Sequence, residues 1–216
     1  LIAYQDAAYA ARYRSLVDAA AAAEERVLPG STALAVMVAR NFAQLMAYKD
    51  EYEVARLHAD PAFRRELAAA FEDGAKLRYN LAPPLFSKRD PETGHLLKRE
   101  FGPWVGKLFP LLAKGKRLRG ISFDPLGYTT ERKMERALID EYEARLREMI
   151  AALTAANHKF AVEAASLPAQ IRGYGHVKEA SVDLVRGLEA NVMERFRAAA
   201  AVPVTNDEDN RVAQTA

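Results

Sequence analysis

The stretch TTERKMERALIDEYEARLREMIAAL, residues 129–153, decides the fold class. Met134, Leu138, Tyr142, Leu146, Met149 and Leu153 recur at three- to four-residue spacing, which lines one face of a helix, and charged residues fill much of the remainder. Thr129 stands where its hydroxyl caps the first turn, and Asp124-Pro125-Leu126-Gly127 before it reads as a turn. Downstream, another helix is predicted from near Thr154 to Ser166. Pro168 opens a one-turn helix stopped by Gly173 and Gly175. A last long helix then carries Val177, Leu184, Leu188, Val192 and Phe196 as its apolar residues.

Upstream the helical period continues. Residues 1–27 read as a helix with Ile2, Tyr9, Tyr13, Leu16 and Ala20 on one side, ended by Pro29-Gly30. Ser31 or Thr32 caps a second helix to about His58, with a buried stripe of Leu34, Val38, Phe42, Leu45, Tyr52 and Ala55. Asp60-Pro61 starts a third, with Phe63, Leu67 and Phe71 at i, i+4 and i+8 and Gly74 as its stop.

Between Lys76 and Trp104 the period becomes two. Leu77, Tyr79 and Leu81 alternate with Lys76, Arg78 and Asn80, and Pro83-Pro84 interrupts them. Residues 86–89 and 95–101 then flank the turn Asp90-Pro91-Glu92-Thr93-Gly94. Residues 105–113 read as a short helix interrupted by Pro110, and residues 114–120 as a basic loop. The expected architecture is mainly α: a multi-helix orthogonal bundle over residues 1–201, with a small antiparallel hairpin or sheet inserted at about 76–104. Residues 202–216 form a polar tail with too little apolar surface to order itself.

Composition narrows the function classes. The 216 residues contain no cysteine, which removes disulfides, thiolate nucleophiles and the ligands of iron–sulfur clusters. No run approaches the roughly 18 apolar residues of a membrane span, and no secretory leader is readable. The expected location is the cytoplasm. The chain begins Leu1-Ile2-Ala3-Tyr4 without an initiator methionine, apparently inside a helical pattern, which reads as a stretch of a longer protein.

Candidate chemistry is sparse. His58, His95, His158 and His176 have no metal-ligand spacing around them, and there is no GxSxG elbow, Walker loop or DxDxDG loop. Asp50 and Glu53, one turn apart, fit an acid/base pair, but the same spacing sets Lys49 beside Glu53 as an exposed ion pair, the preferred reading. Gly173-Tyr174-Gly175-His176-Val177-Lys178 precedes a helix whose start attracts anions. Lys178 stands where a dinucleotide fingerprint needs its third glycine and no strand precedes, so a helix–helix corner is preferred, with Arg172, His176 and Lys178 keeping an anion contact open.

The strongest charge asymmetry spans residues 76–119. Lys76, Arg78, Lys88, Arg89, Lys98, Arg99, Lys107, Lys114, Lys116, Arg117 and Arg119 outweigh Asp90, Glu92 and Glu100, a net +8 that suits an acidic protein or an anionic cofactor. Aromatic residues do not interleave with these cations as nucleic-acid stacking requires, so no nucleic-acid partner is expected.

Several strings together resemble the C-terminal region of the fused indolepyruvate ferredoxin oxidoreductases. They are residues 6–13 (DAAYAARY), 39–41 (ARN), 45–57 (LMAYKDEYEVARL), 81–85 (LAPPL), 98–104 (KREFGPW), 124–129 (DPLGYT) and 171–179 (IRGYGHVKE). The resemblance covers nearly everything from Leu1 to about Arg197. It implies oxidative decarboxylation of an aryl 2-oxo acid by the whole protein, with thiamine diphosphate forming the carbanion and 4Fe–4S clusters carrying electrons to ferredoxin while coenzyme A takes the acyl group. The family's Gly-Asp-Gly thiamine motif and its cluster cysteines are missing from these residues, so no catalytic, cofactor-binding or metal residue carries over.

The expectation is a non-catalytic helical domain serving assembly with the catalytic modules of the same polypeptide, or docking of ferredoxin or coenzyme A. Arg172, Gly173, Gly175, His176, Lys178, Lys114, Lys116, Arg117 and Arg119 are its candidate contact residues. The rival is a stand-alone helical interaction module with no enzyme attached, which the reading frame upstream of Leu1 discriminates. A hydrolase using Asp50 and Glu53 is a weaker third.

Overall fold

The computed structural model describes residues 1–71, 77–82 and 97–201. Asp6, rather than Leu1, opens the first helix, α1 (Ala7–Val27): its carboxylate accepts the Tyr9 N–H at 2.8 Å. The residues before it form turns, which leaves Ile2 exposed, while Leu16, Ala20, Ala23 and Glu24 turn inward.

The expected second helix is two helices, α2 (Ala33–Met46) and α3 (Glu51–Ala59). Asp50 makes the break by accepting the Glu53 N–H at 2.8 Å, so its side chain captures a backbone donor at the start of α3. The predicted stripe is nonetheless buried on both sides of the break, from Leu34 to Ala55.

Asp60 and Pro61 start α4 (Pro61–Ala70) as expected. Its apolar period, however, joins neither core cluster of the described residues: Phe63 and Phe71 are exposed and no α4 residue is buried. The helical period is encoded locally, but a covering element must come from elsewhere in the chain.

Strand β1 (Tyr79–Leu81) pairs antiparallel with β2 (Arg99–Phe101), Tyr79 opposite Phe101 and Leu81 opposite Arg99. The predicted strand residues 86–89, the turn 90–94, the Gly74 stop, Pro83-Pro84 and the tail 202–216 lie outside the described residues. A 3-10 turn (Pro103–Lys107) leads into α5 (Phe109–Lys114), where Pro110 occupies the first turn and so begins the helix instead of interrupting it. A second 3-10 turn, Gly115–Leu118, stands where a loop was expected.

Thr129 caps α6 (Thr130–Ala151) by accepting the Arg132 N–H. Residues 154–157 form a turn closed by Asn157 on the Thr154 N–H at 2.7 Å, so α7 (His158–Ser166) begins later than predicted. After a 3-10 turn (Leu167–Gln170), α8 (His176–Ala200) buries Val182, Val185, Val192, Met193 and Phe196. Of the apolar residues that the sequence reading named on this helix, Val192 and Phe196 are buried, whereas Val177, Leu184 and Leu188 are exposed. Two apolar stripes run along α8, and the ion pairs of its Lys178 with Glu135 and its Glu189 with Arg145 present the other stripe to α6.

The protein is thus mainly α with, among the described residues, a two-stranded antiparallel sheet, as the periodicities predicted. The main core joins α1, α2, α6, α7 and α8 around Phe42, Tyr142, Leu146 and Phe196. Three tyrosine hydroxyls tie residues 4–13 to α2 and the turn after it: Tyr4 donates to the Tyr48 carbonyl, Tyr9 to Met46 and Tyr13 to Ala39, at 2.9–3.0 Å. A smaller cluster of Ala55, Val105 and Phe109 holds the sheet and α5 against α3, with Tyr79, Leu81 and Phe101 packed on it.

Candidate functional site

Asp50 and Arg119 form a buried polar cluster. Asp50 sits just ahead of α3 and is 3% exposed; Arg119 follows the second 3-10 turn and is 5% exposed. Arg119 Nε donates to Asp50 Oδ2 at 2.5 Å and Nη2 to Oδ1 at 2.8 Å, a two-pronged charge-assisted pair. Its Nη1 donates to the Tyr4 carbonyl at 2.8 Å, and the guanidinium lies 3.8 Å from the Tyr4 ring centroid. Beside it, the Tyr52 hydroxyl donates to Asp124 Oδ1 at 2.8 Å, and Asp124 also accepts the N–H groups of Gly120 and Leu126.

Burial pushes the Arg119 pKa down, but its bonds to Asp50 outweigh that and hold it above the usual value. Burial is also the main reason that the Tyr4 and Tyr52 hydroxyls titrate well above the ordinary tyrosine range.

This geometry corrects two expectations. Arg119 is an interior ion-pair residue, not part of a contact surface, because its partner, 69 residues away, draws it inside. The preferred ion pair of Glu53 forms with Arg56, which meets both carboxylate oxygens at 2.7 and 2.8 Å, in place of Lys49, and Asp50, the other member of the weaker acid/base reading, is held by Arg119.

The rest of the basic segment divides. Lys116 Nζ donates to the Ala3 carbonyl at 2.8 Å, fastening residues 1–4, and Arg78 pairs with Glu100 across the sheet. Lys98, Arg99, Lys107, Lys114 and Arg117 are exposed. Lys76, Lys88, Arg89, Asp90 and Glu92 lie outside the described residues, as does His95.

At the glycine corner, Gly173 (φ +93°) and Gly175 (φ +56°) take left-handed backbone angles that other residues reach only at a cost. A Cβ on Gly173 would also meet Val177 Cγ1 at 2.6 Å. Ser181 closes the corner by accepting the Arg172 N–H and donating to the Gln170 carbonyl. Lys178 is drawn to Glu135 on α6 at 2.6 Å, which takes it out of the expected contact set; Arg172 stays exposed at the corner, and His176 begins α8. The corner packs on α6 and the preceding 3-10 turn, whereas residues 114–119 meet the N-terminal segment and the start of α3. The nine candidate residues are therefore two separate features.

Sequence reasoning missed Glu24. The carboxylate is fully buried at the end of α1 and caps α2 from outside it, accepting the N–H groups of Leu34 and Ala35 at 2.9 Å and the Ser31 hydroxyl at 2.7 Å. His158 Nε2 on α7 lies 2.7 Å away. Thr32 makes no side-chain cap, so Glu24 does the work expected of Ser31 or Thr32. Burial pushes this carboxyl up, yet the converging donors outweigh it and lower its pKa to about 2. An acidic residue one turn before the end of the first predicted helix was the available signal, and nothing local connects it to His158.

His58 stacks on Phe109, with ring centroids 5.0 Å apart, and meets Phe63 and Tyr79 edge-on; burial lowers its pKa. Among the described residues no three His, Asp or Glu side chains gather as metal ligands, and no helix is long and apolar enough to cross a membrane. A hollow of about 190 Å³ is lined by Ser122, Asp124, Tyr128 and Arg136. Its cation is already engaged, since Arg136 donates to the Gly127 carbonyl at 2.7 Å.

These features define a helical domain whose buried carboxylates serve its own architecture and whose distinctive exterior is a basic, partly apolar face. The chain belongs to DUF6537, a family of unknown function, whose model matches residues 1–191. No curated protein and no solved structure matches it.

Proposed function

We propose that this chain is a non-catalytic helical domain of a cytoplasmic indolepyruvate ferredoxin oxidoreductase, one that helps the catalytic modules to assemble or to receive their partners. Thiamine diphosphate and 4Fe–4S clusters belong, in this reading, to the remainder of the polypeptide. The identity rests on the strings quoted above, which are long and irregular.

One observation carries the non-catalytic half. Glu24, Asp50, Glu53, Asp124, Glu135 and Glu189, the buried carboxylates among the described residues, each hold a helix start, a turn or a cation of this same chain. A general acid or base needs a carboxyl free to exchange a proton with substrate, and the bonds that these six make within the chain support the non-catalytic reading.

The test is the complete polypeptide with and without residues 1–201, assayed for indolepyruvate oxidation, ferredoxin reduction and cofactor content. The expected result is an intact cofactor complement with impaired ferredoxin reduction in the deleted form. A complete polypeptide that binds no thiamine diphosphate and oxidises no 2-oxo acid overturns the reading.

A further inference from the structure

From Phe101 to Phe123 the chain has no Asp or Glu, and its charges are Lys107, Lys114, Lys116, Arg117 and Arg119. The fold itself uses two of them, Lys116 on Ala3 and Arg119 on Asp50. Lys107, Lys114 and Arg117 stay exposed and have no ion-pair partner among the described residues.

The same segment carries two apolar faces. Val105, Phe109 and Ala113, at i, i+4 and i+8, turn inward to the small core cluster. Trp104, Leu108, Leu111 and Leu112 are 58%, 49%, 70% and 37% exposed. A contiguous group of large apolar side chains at a surface marks an interaction site. Trp104 lies edge-on to Phe101, ring centroids 6.3 Å apart, which ties the exposed face to the residues packed on the small cluster.

We infer that this outward face, with Lys107, Lys114 and Arg117 around it, docks an acidic protein whose contact surface has an apolar centre. The inference deepens the reading above and rests on it: the partner is ferredoxin rather than coenzyme A. Cations at i, i+7 and i+10 are spread over about 15 Å of helix-like chain, separated by leucines. Phosphate groups need cations that converge on one point, whereas Lys107 stands about 10 Å along the chain from Lys114 and farther from Arg117. A protein surface matches an apolar centre with a charged rim. A lipid surface also meets basic amphipathic segments, but α5 has only six residues and its inner face is pinned by Phe109, so it cannot lie flat among headgroups as a long free helix does.

The experiment uses the complete oxidoreductase polypeptide with two electron acceptors, a purified acidic 4Fe–4S ferredoxin and methyl viologen, which needs no docking surface. Trp104→Ala and the charge reversal Lys107→Glu/Lys114→Glu/Arg117→Glu are compared with the parent. Each is expected to raise the KM for ferredoxin by about tenfold or more. The reversal should also abolish the salt dependence of that KM, and viologen reduction should not change. Leu111→Ser, at the most exposed leucine, repeats the test without touching the packing of Trp104 on Phe101. Arg119 is kept in every variant, because removing it strands Asp50 in the interior.

An active enzyme whose ferredoxin KM is indifferent to all three variants overturns the docking face and leaves the proposed function standing. So does a rise in the KM for coenzyme A alone. Binding to phosphatidylglycerol vesicles that Trp104→Ala abolishes, with ferredoxin kinetics unchanged, assigns the face to a membrane and overturns the inference. A polypeptide with no ferredoxin-reducing activity at all sinks both proposals together.

Discussion

A carboxylate shut off from water is costly unless donors replace its hydration, and Glu24 shows what such replacement achieves. Two backbone N–H groups, a hydroxyl and an imidazole converge on it, so one side chain joins the end of α1, the start of α2 and the first turn of α7. Its pKa is lowered in the folded protein from 4.5 to about 2, so the folded state binds this proton less readily than the unfolded chain does. The stabilisation is therefore present above the ordinary carboxylate range and is lost as the pH falls from about 4.5 towards 2. A shift of this size corresponds to about 3 kcal/mol. Urea unfolding followed against pH should show that loss in the parent and a flatter acid limb in Glu24→Gln, which should already be weaker at neutral pH. Parallel acid limbs would show that the carboxyl is not the group being titrated.

At the scale of elements, junctions are set by close contacts rather than by helix propensity alone. Gly115 takes ordinary right-handed helical angles, where alanine normally adds about 0.5–1 kcal/mol of stability. An added Cβ there would lie 2.6 Å from Tyr52 Cε1, and Tyr52 cannot yield easily because its buried hydroxyl is bonded to Asp124. Gly115→Ala should cost about 1–3 kcal/mol through overpacking. Gly187, inside α8, has nothing within 4 Å of such a Cβ, so Gly187→Ala should stabilise by about 0.5–1 kcal/mol. Denaturant midpoints that move in the same direction would refute the contact argument. Elements with strong local signals were legible in advance: Asp60-Pro61 and Thr129 start helices where the sequence placed them. The α2–α3 break was not, because Asp50 lies in a charged run whose capping role shows only once the chain turns. Nor was the rotation of α8, whose apolar residues fall on two stripes.

For the molecule as a whole, the two apolar clusters found among the described residues, unequal in size, set the pattern of stability. The larger joins five helices, and the smaller rests on Ala55, Val105 and Phe109. Phe42→Ala, in the larger, should lower the global unfolding free energy by about 3–5 kcal/mol. Phe109→Ala should act locally, speeding amide hydrogen exchange in β2 and α5 while α6 and α8 keep their protection. Equal acceleration throughout would mean that the two clusters unfold as one. The proposed docking face lies on the smaller unit. Lys114 and Arg117 were readable in advance as surface cations, whereas the separation of Arg119 and Lys116 from them was not.

The sequence by itself determined the fold class and the starts of α2, α4, α6 and α8, because periodicity and capping act within one or two turns of chain. It also determined that thiolate chemistry has no place here. Only the tertiary structure decided which charges are interior. Arg119 meets Asp50 across 69 residues, Glu24 meets His158 across 134, and Lys178 meets Glu135 across 43. It likewise decided which apolar faces, on α4, on α8 and around Trp104, stay in water. Burial is a property of what a side chain packs against, and no local pattern names that neighbour.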